Sequence, residues 1–229
     1  SDEDLSNVFT EADIEKEKMK TVKPLLISFE GIDGSGKSTQ CKMLYHELLD
    51  RGYGVHLYRE PGGTQISEKI RDILLDRENE KMSPVTEMLL YFSSRNQLIS
   101  EKVLPALARG EIVLLDRFVD STIAYQGYGR DLSLESIYKV AEVAIGDLSP
   151  DLTILVDTPL DTAETRMDNR ELDRLEAENE DFKQRTRQGY LKLVEDDPNR
   201  FLLLDGRETI DTLKHMVFER VDQLLGTKA

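Results

Sequence analysis

Residues Gly31 to Ser38 read Gly-Ile-Asp-Gly-Ser-Gly-Lys-Ser, which is the spacing of a phosphate-binding loop. The apolar run Leu25-Leu26-Ile27-Ser28-Phe29 precedes it, and a helix-forming stretch beginning near Lys37 follows. A strand thus delivers the loop, and its glycines let backbone N–H groups turn inward on phosphate oxygens. The following helix N-terminus adds the positive end of its dipole. Lys37 is placed to reach the β- and γ-phosphates of a nucleotide, and the Ser38 hydroxyl to ligate Mg²⁺. Gly31, Ile32, Asp33, Gly34, Ser35, Gly36, Lys37, Ser38 and Thr39 form the expected cradle for a nucleoside triphosphate. The flanking strand and helix set this loop apart from an ordinary glycine-rich turn.

A chain of 229 residues with 39 % hydrophobic content suits one α/β domain with a sizeable core. No apolar run approaches the 18 or so residues of a membrane span, and no apolar signal-peptide core is found near the start. No membrane partner and a cytoplasmic location are therefore expected. The single cysteine, Cys41, excludes an internal disulfide and reads as a packing residue one turn into the helix. A net charge of −15 argues against nucleic acid or an anionic membrane as partner. An acidic protein that binds anionic nucleotides must gather its cations locally, which makes its arginines informative.

Residues 1–23 hold seven acidic and four basic residues and few large apolar ones. They read as an acidic N-terminal extension, mobile or loosely helical, with a partner-binding tail as the alternative. From Pro24 onward, residues 24–229 read as one domain. Strands are expected at Leu25–Phe29, Val55–Arg59, Ile112–Leu115, Leu152–Val156 and Phe201–Leu204. Helices are expected near Lys37–Arg51, Ile66–Asp76, Pro84–Arg109, Leu134–Ile145, Leu160–Asn169, Glu178–Glu195 and Glu208–Leu225. Five strands separated by helical crossovers predict a five-stranded parallel sheet with helices on both faces. Ligands of such sheets sit beyond the carboxyl ends of the strands. The residues there are polar at every strand: Arg59-Glu60-Pro61-Gly62-Gly63-Thr64, Asp116-Arg117-Phe118, Asp157 and Asp205-Gly206-Arg207, expected to share one cleft.

Together these segments resemble thymidylate kinase of the bacterial type. The resemblance runs from Leu25 to the C-terminus. It is carried by Phe29 to Thr39, by Arg59-Glu60-Pro61-Gly62-Gly63-Thr64, by Asp116-Arg117-Phe118 and by Ala124-Tyr125-Gln126-Gly127. It implies a P-loop kinase fold with a helical lid near residues 160–180, phosphorylation of dTMP to dTDP with Mg-ATP, and a homodimer. It also implies that Arg95 and Arg117 grip the acceptor phosphate, where a planar guanidinium binds bidentately. Asp33 then faces the acceptor's sugar and reacting phosphates. It need not be a general base, because a phosphate acceptor is already ionised near neutral pH. Asp116 would hold Mg²⁺ or its water, or fix Arg117; a purely structural Asp–Arg pair is the alternative.

Arg59, Glu60 and Pro61 complete the implied dTMP site. Tyr91 and Phe92 are the two candidates for stacking on thymine, one facing the base and the other the core. Thr122 and Gln126 resemble the pair that hydrogen-bonds the base edge, and Tyr125 the ring that crowds the sugar's 2′ position. Some relatives carry an arginine in the phosphate loop at the position of Gly34. Here the transition-state cation must come from elsewhere, and Arg166, Arg170 and Arg174 recur at i, i+4 and i+8 on one expected helical face. Arg174, in Asp-Arg-Leu-Glu, best matches the lid arginine, against a salt-bridged surface helix as the bland reading. Two rivals are a different nucleoside monophosphate kinase and a GTP-binding switch. The Arg-Glu-Pro-Gly-Gly and Ala-Tyr-Gln-Gly segments speak against the first. The chain has no Asn-Lys-x-Asp segment, which speaks against the second.

Overall fold

The computed structural model describes residues 23–226, so the expected N-terminal extension lies outside the described residues except for Lys23. Five strands form one parallel sheet: β1 (Leu25–Glu30), β2 (Val55–Arg59), β3 (Ile112–Asp116), β4 (Leu152–Asp157) and β5 (Phe201–Asp205). Their order is β2-β3-β1-β4-β5. Four strands run one residue further than their apolar runs, each ending on a carboxylate: Glu30, Asp116, Asp157 and Asp205. Backbone pairing with a neighbour holds that last residue in the ladder despite its charge, as in the Phe29–Asp116 and Asp157–Asp205 pairs.

Helices α1 (Lys37–Asp50), α2 (Gln65–Leu75), α3 (Pro84–Leu98), α4 (Leu104–Ala108), α5 (Val119–Thr122), α6 (Leu134–Ile145), α7 (Leu160–Arg166), α8 (Glu180–Asp196) and α9 (Ile210–Leu225) surround the sheet. Alternation along β1 divides the core between the faces. Leu25, Ile27 and Phe29 pack with Leu44 and Leu48 of α1 and Val217 of α9. Leu26 faces the other way, toward Leu98, Val103, Leu115 and Phe118. Side-chain caps start several helices where the sequence changes character: Thr64 accepts from Ser67 N–H, Ser83 from Thr86, Asn179 from Phe182 and Thr209 from Thr212. Among the described residues, no helix is long and apolar enough to cross a membrane.

Two expected helices differ. The stretch Pro84–Arg109 is broken into α3, a π-helical turn over Ile99–Val103, and α4. Pro105 has no N–H to continue the α ladder, and the Leu104 N–H instead reaches back five residues to the Ile99 carbonyl. The expected helix Leu160–Asn169 stops at Arg166, and Asn169 takes a left-handed φ of 69°. Arg166, Arg170 and Arg174 therefore do not share a helical face. The sequence reading also missed α5 and the π-helical segment Ile123–Gly129 that continues it.

The registers decide where the site lies. Phe29 of β1 and Arg59 of β2 both pair with Asp116 of β3, so three neighbouring strands end at one level. The loops after them converge.

Candidate functional site

The phosphate loop leaves β1 and closes on α1. Gly31 has φ +148° and would place a Cβ 2.6 Å from the Val156 carbonyl oxygen. Gly34 has φ +81°, and a Cβ there would come 2.3 Å from the carbonyl oxygen of Ala163 in α7. Any side chain at Gly34 thus collides with backbone, so the loop of this chain has no room for an arginine at that position. Behind the loop, Lys37 Nζ donates to Asp116 Oδ1 at 2.7 Å and Ser38 Oγ to Asp116 Oδ2 at 2.5 Å. Burial works against the Asp116 carboxylate. The Lys37 ammonium and the two hydrogen bonds outweigh burial and hold Asp116 below the usual carboxylate range.

A carboxylate and a hydroxyl side by side suit a hard cation that takes its remaining ligands from phosphates and water. Among the described residues, no group of three or more His, Cys, Asp or Glu side chains gathers to hold a metal. Ser38 and Asp116 therefore fit Mg²⁺ arriving with a nucleotide better than an all-protein metal cage.

Asp116 and Arg117 are adjacent yet serve different walls of the cleft. Arg117 has φ 78°, rare for a residue with a Cβ and worth about 1–3 kcal/mol of strain. Its N–H is fixed to the Phe29 carbonyl at 2.9 Å. Its guanidinium bonds partners other than Asp116. Nη1 donates to Ser121 Oγ and Tyr190 OH, both at 3.0 Å, and Nη2 to Asp33 Oδ1 at 3.1 Å and Tyr125 OH at 3.3 Å. Burial disfavours the cation, but Tyr125, Tyr190, Asp33 and Glu30 outweigh it and keep Arg117 charged.

Glu30 supports this arrangement from inside. Fully buried at the end of β1, it accepts from Phe118 N–H at 2.7 Å, Ser121 Oγ at 2.5 Å and Tyr190 OH at 2.9 Å. Burial, then the charge of Asp120, pushes its carboxyl up to about 7.

The third wall holds the expected base-recognition residues. Arg95 is 1 % exposed. Its Nε donates to Glu60 Oε1 at 2.6 Å, Nη1 to Thr122 Oγ1 at 2.9 Å, and Nη2 to the Phe118 carbonyl at 3.2 Å. Arg95 thus sits with Thr122 rather than beside Arg117. Tyr91 lines the cleft, whereas Phe92 is buried in the core with the Arg95 guanidinium 5.2 Å above its ring. The helical segment Val119–Gly129 aims Ser121, Thr122, Tyr125 and Gln126 at the cleft, its wide turns closing with the Arg130 N–H on the Tyr125 carbonyl at 2.9 Å. The whole cleft encloses about 340 Å³. It contains the phosphate loop from Ile32 to Thr39 together with Arg59, Glu60, Pro61, Asp116 and Arg117.

The chain that builds this cleft matches a known family along most of its length. The profile of thymidylate kinase fits residues 29–217. The chain is 50 % identical to a thymidylate kinase of Caldanaerobacter subterraneus subsp. tengcongensis over 199 residues, 87 % of this chain and 95 % of that one. The chain belongs to the thymidylate kinase family. A thymidylate kinase of Desulforudis audaxviator is 48 % identical over 202 residues, 88 % of this chain and 91 % of its own. The crystal structure of thymidylate kinase from Ehrlichia chaffeensis has the same fold, with a TM-score of 0.72 at 30 % identity. The match covers 87 % of this chain and 98 % of that one.

Within this family fold, the three candidate lid arginines part company. Arg166 donates to the carbonyls of Ser35 at 3.0 Å and Gly206 at 2.7 Å, strapping the phosphate loop from outside the cleft. Arg170 lines the cleft and pairs with Glu176. Arg174 turns away: Nε donates to the Leu74 carbonyl at 2.7 Å and Nη2 pairs with Glu87. The strand-end rule also overreached, because Asp157 pairs with Arg187 and Asp205 with Arg207 outside the cleft.

Sequence reasoning missed Glu30, Glu87, Arg130 and Tyr190. Each contributes to the site only through a partner distant in sequence. Arg71 was missed as well; it lines the cleft and donates to the Pro61 carbonyl at 2.8 Å. Its one local signal was an arginine on the helix that follows Arg-Glu-Pro-Gly-Gly.

Proposed function

We propose that the protein transfers the γ-phosphoryl group of Mg-ATP to dTMP, giving ADP and dTDP. One observation carries this reading. The loop after β1 presents a phosphate cradle, and the loops after β2 and β3 present a base-sized wall across the same cleft, with Arg117 between them.

Phosphoryl transfer needs two phosphates held in line and their charge neutralised, and no covalent intermediate. The phosphate-loop N–H groups and Lys37 hold the donor. Ser38 and Asp116 hold Mg²⁺, which draws charge from the donor phosphates when bound. Arg117 and Arg59 hold the acceptor phosphate. The four oxygens around Arg117 fix its guanidinium in advance, so little ordering is required at the moment of reaction. Asp33 keeps Arg117 aligned and faces the sugar beside Tyr125. Burial raises the Tyr125 phenol well above its ordinary value, which keeps it a neutral donor against the 2′ position. Tyr91 stacks on the base.

Arg95 is better placed at the base edge than on the phosphate, because its guanidinium bonds Thr122. Arg170 is the lid cation best placed for the transferred phosphoryl group. The apolar residues left exposed on α3 and α6, Val85, Leu89, Tyr138 and Val143, support the homodimer that the family resemblance implies.

A coupled ADP-release assay with Mg-ATP against dTMP, dUMP, dCMP, dGMP and AMP tests the reading. The expected result is strong preference for dTMP with dTDP as product. A single methyl separates dTMP from dUMP, so their ratio should be only about 10- to 200-fold. A different preferred monophosphate overturns the base site, and no acceptor-dependent turnover overturns the kinase.

A further inference from the structure

Glu87 has no role in the proposed chemistry, yet it is one of the most enclosed carboxylates in the fold, with 1 % exposure. It lies in the first turn of α3, where the helix dipole favours an anion. Gln126 Nε2 donates to Glu87 Oε1 at 2.8 Å. Arg130 spans both oxygens, Nε to Oε1 and Nη2 to Oε2, each at 3.2 Å, and Arg174 pairs with Oε2. Burial works against the carboxylate, but Arg130, then Arg174 and the Gln126 hydrogen bond, outweigh it and hold Glu87 below the usual carboxylate range. Glu87 is therefore ionised and can only accept hydrogen bonds.

That constraint passes to Gln126. A glutamine amide carries a donor at one end and an acceptor at the other, and the two are interchangeable by a flip. An acceptor-only partner removes the choice: the NH₂ end must face Glu87. The carbonyl end is then directed to the cleft that Gln126 lines, and Oε1 has no protein donor among the described residues.

We propose that Glu87 is a positioning residue that sets pyrimidine selectivity by locking the Gln126 amide with its carbonyl toward the base. A carbonyl there accepts from a ring nitrogen that carries hydrogen, as N3 of thymine does. It repels cytosine, whose N3 is a lone-pair acceptor. The inference rests on the thymidylate kinase reading and adds the means of excluding cytidylates.

The test is the ratio of kcat/KM for dTMP to that for dCMP in the wild type, Glu87→Gln and Glu87→Asp. An amide at position 87 can donate as well as accept, so Gln126 becomes free to flip. The ratio should fall about tenfold or more, with KM rising for dTMP and falling for dCMP. Glu87→Asp keeps the charge between Arg130 and Arg174 and so protects the fold. Its shorter side chain admits a water that donates or accepts equally well, and the ratio should fall there too. In a Gln126→Ala background, Glu87→Gln should change the ratio no further. A merely structural role would depress both substrates together. A ratio within about twofold of wild type in either folded variant overturns the proposal. A wild type that does not prefer dTMP to dCMP overturns the thymidylate kinase reading itself, a result distinct from an unaltered ratio in the variants.

Discussion

The phosphate loop and the arginine-bearing segment after β4 both present positive groups, but they are built on opposite principles. In the loop the backbone presents the donors. Its conformation is over-determined by β1, by α1 and by contacts such as Gly34 against Ala163. In the later segment the side chains matter, and each is placed by whichever partner neutralises it. Arg166 goes to backbone carbonyls, Arg170 to Glu176, and Arg174 to Glu87 and Leu74. A backbone site follows from local sequence, because glycine spacing dictates local dihedral angles. A side-chain site does not, because a long flexible arginine can reach several acceptors and the deepest carboxylate wins. The arginine closest to the family's Asp-Arg-Leu-Glu pattern thus does not line the cleft, whereas Arg170 does.

The sharpest way to break this comparison is at Lys37, where the two principles meet. Lys37→Ala removes the one side-chain cation of the loop while leaving its backbone donors. Turnover should fall by about 10²–10³ in kcat with nucleotide still bound. Retained turnover would show that the backbone cradle suffices.

Next in size is the contrast between Arg170 and Arg174. Arg170→Ala should lower kcat about tenfold or more with little change in dTMP KM, as for a lost charge-assisted hydrogen bond. Arg174→Ala should act mainly on stability, by about 1–3 kcal/mol, because it strips a partner from buried Glu87. Steady-state kinetics and thermal melts on both variants check the order. A larger kcat loss for Arg174→Ala would return the catalytic role to the residue that the motif favoured.

The smallest effect concerns the buried support of Arg117. Glu30 has its pKa raised from 4.5 to about 7 in the folded protein. Between those values the folded state keeps a proton that the unfolded chain has released. The stability contributed is therefore complete below about pH 4.5 and lost as pH rises through about 7. Glu30→Gln should flatten the decline in Tm across that window by a few degrees. Parallel melting curves for variant and wild type would remove Glu30 from the account.

Much of this protein was legible in its sequence for local reasons. Apolar runs a few residues long fixed the five strands, since a strand buried on both faces needs nothing more than such a run. Gly31, Gly34, Lys37 and Ser38 fixed the loop, since their spacing is the chemistry. Arg-Glu-Pro-Gly-Gly and Ala-Tyr-Gln-Gly brought Arg59, Glu60, Tyr125 and Gln126 to the cleft. What the sequence left open, or misread, depended on separations of dozens of residues. Tertiary packing placed Tyr91 rather than Phe92 in the cleft and sent Arg95 to Thr122. It ended α7 at Arg166 and so dispersed the three arginines. It also gathered Glu30 with Tyr190, 160 residues apart, and Gln126 with Glu87, 39 residues apart. Local geometry is written in residue spacing. The pairing of buried charges is a competition among all available partners, and only the folded chain resolves it.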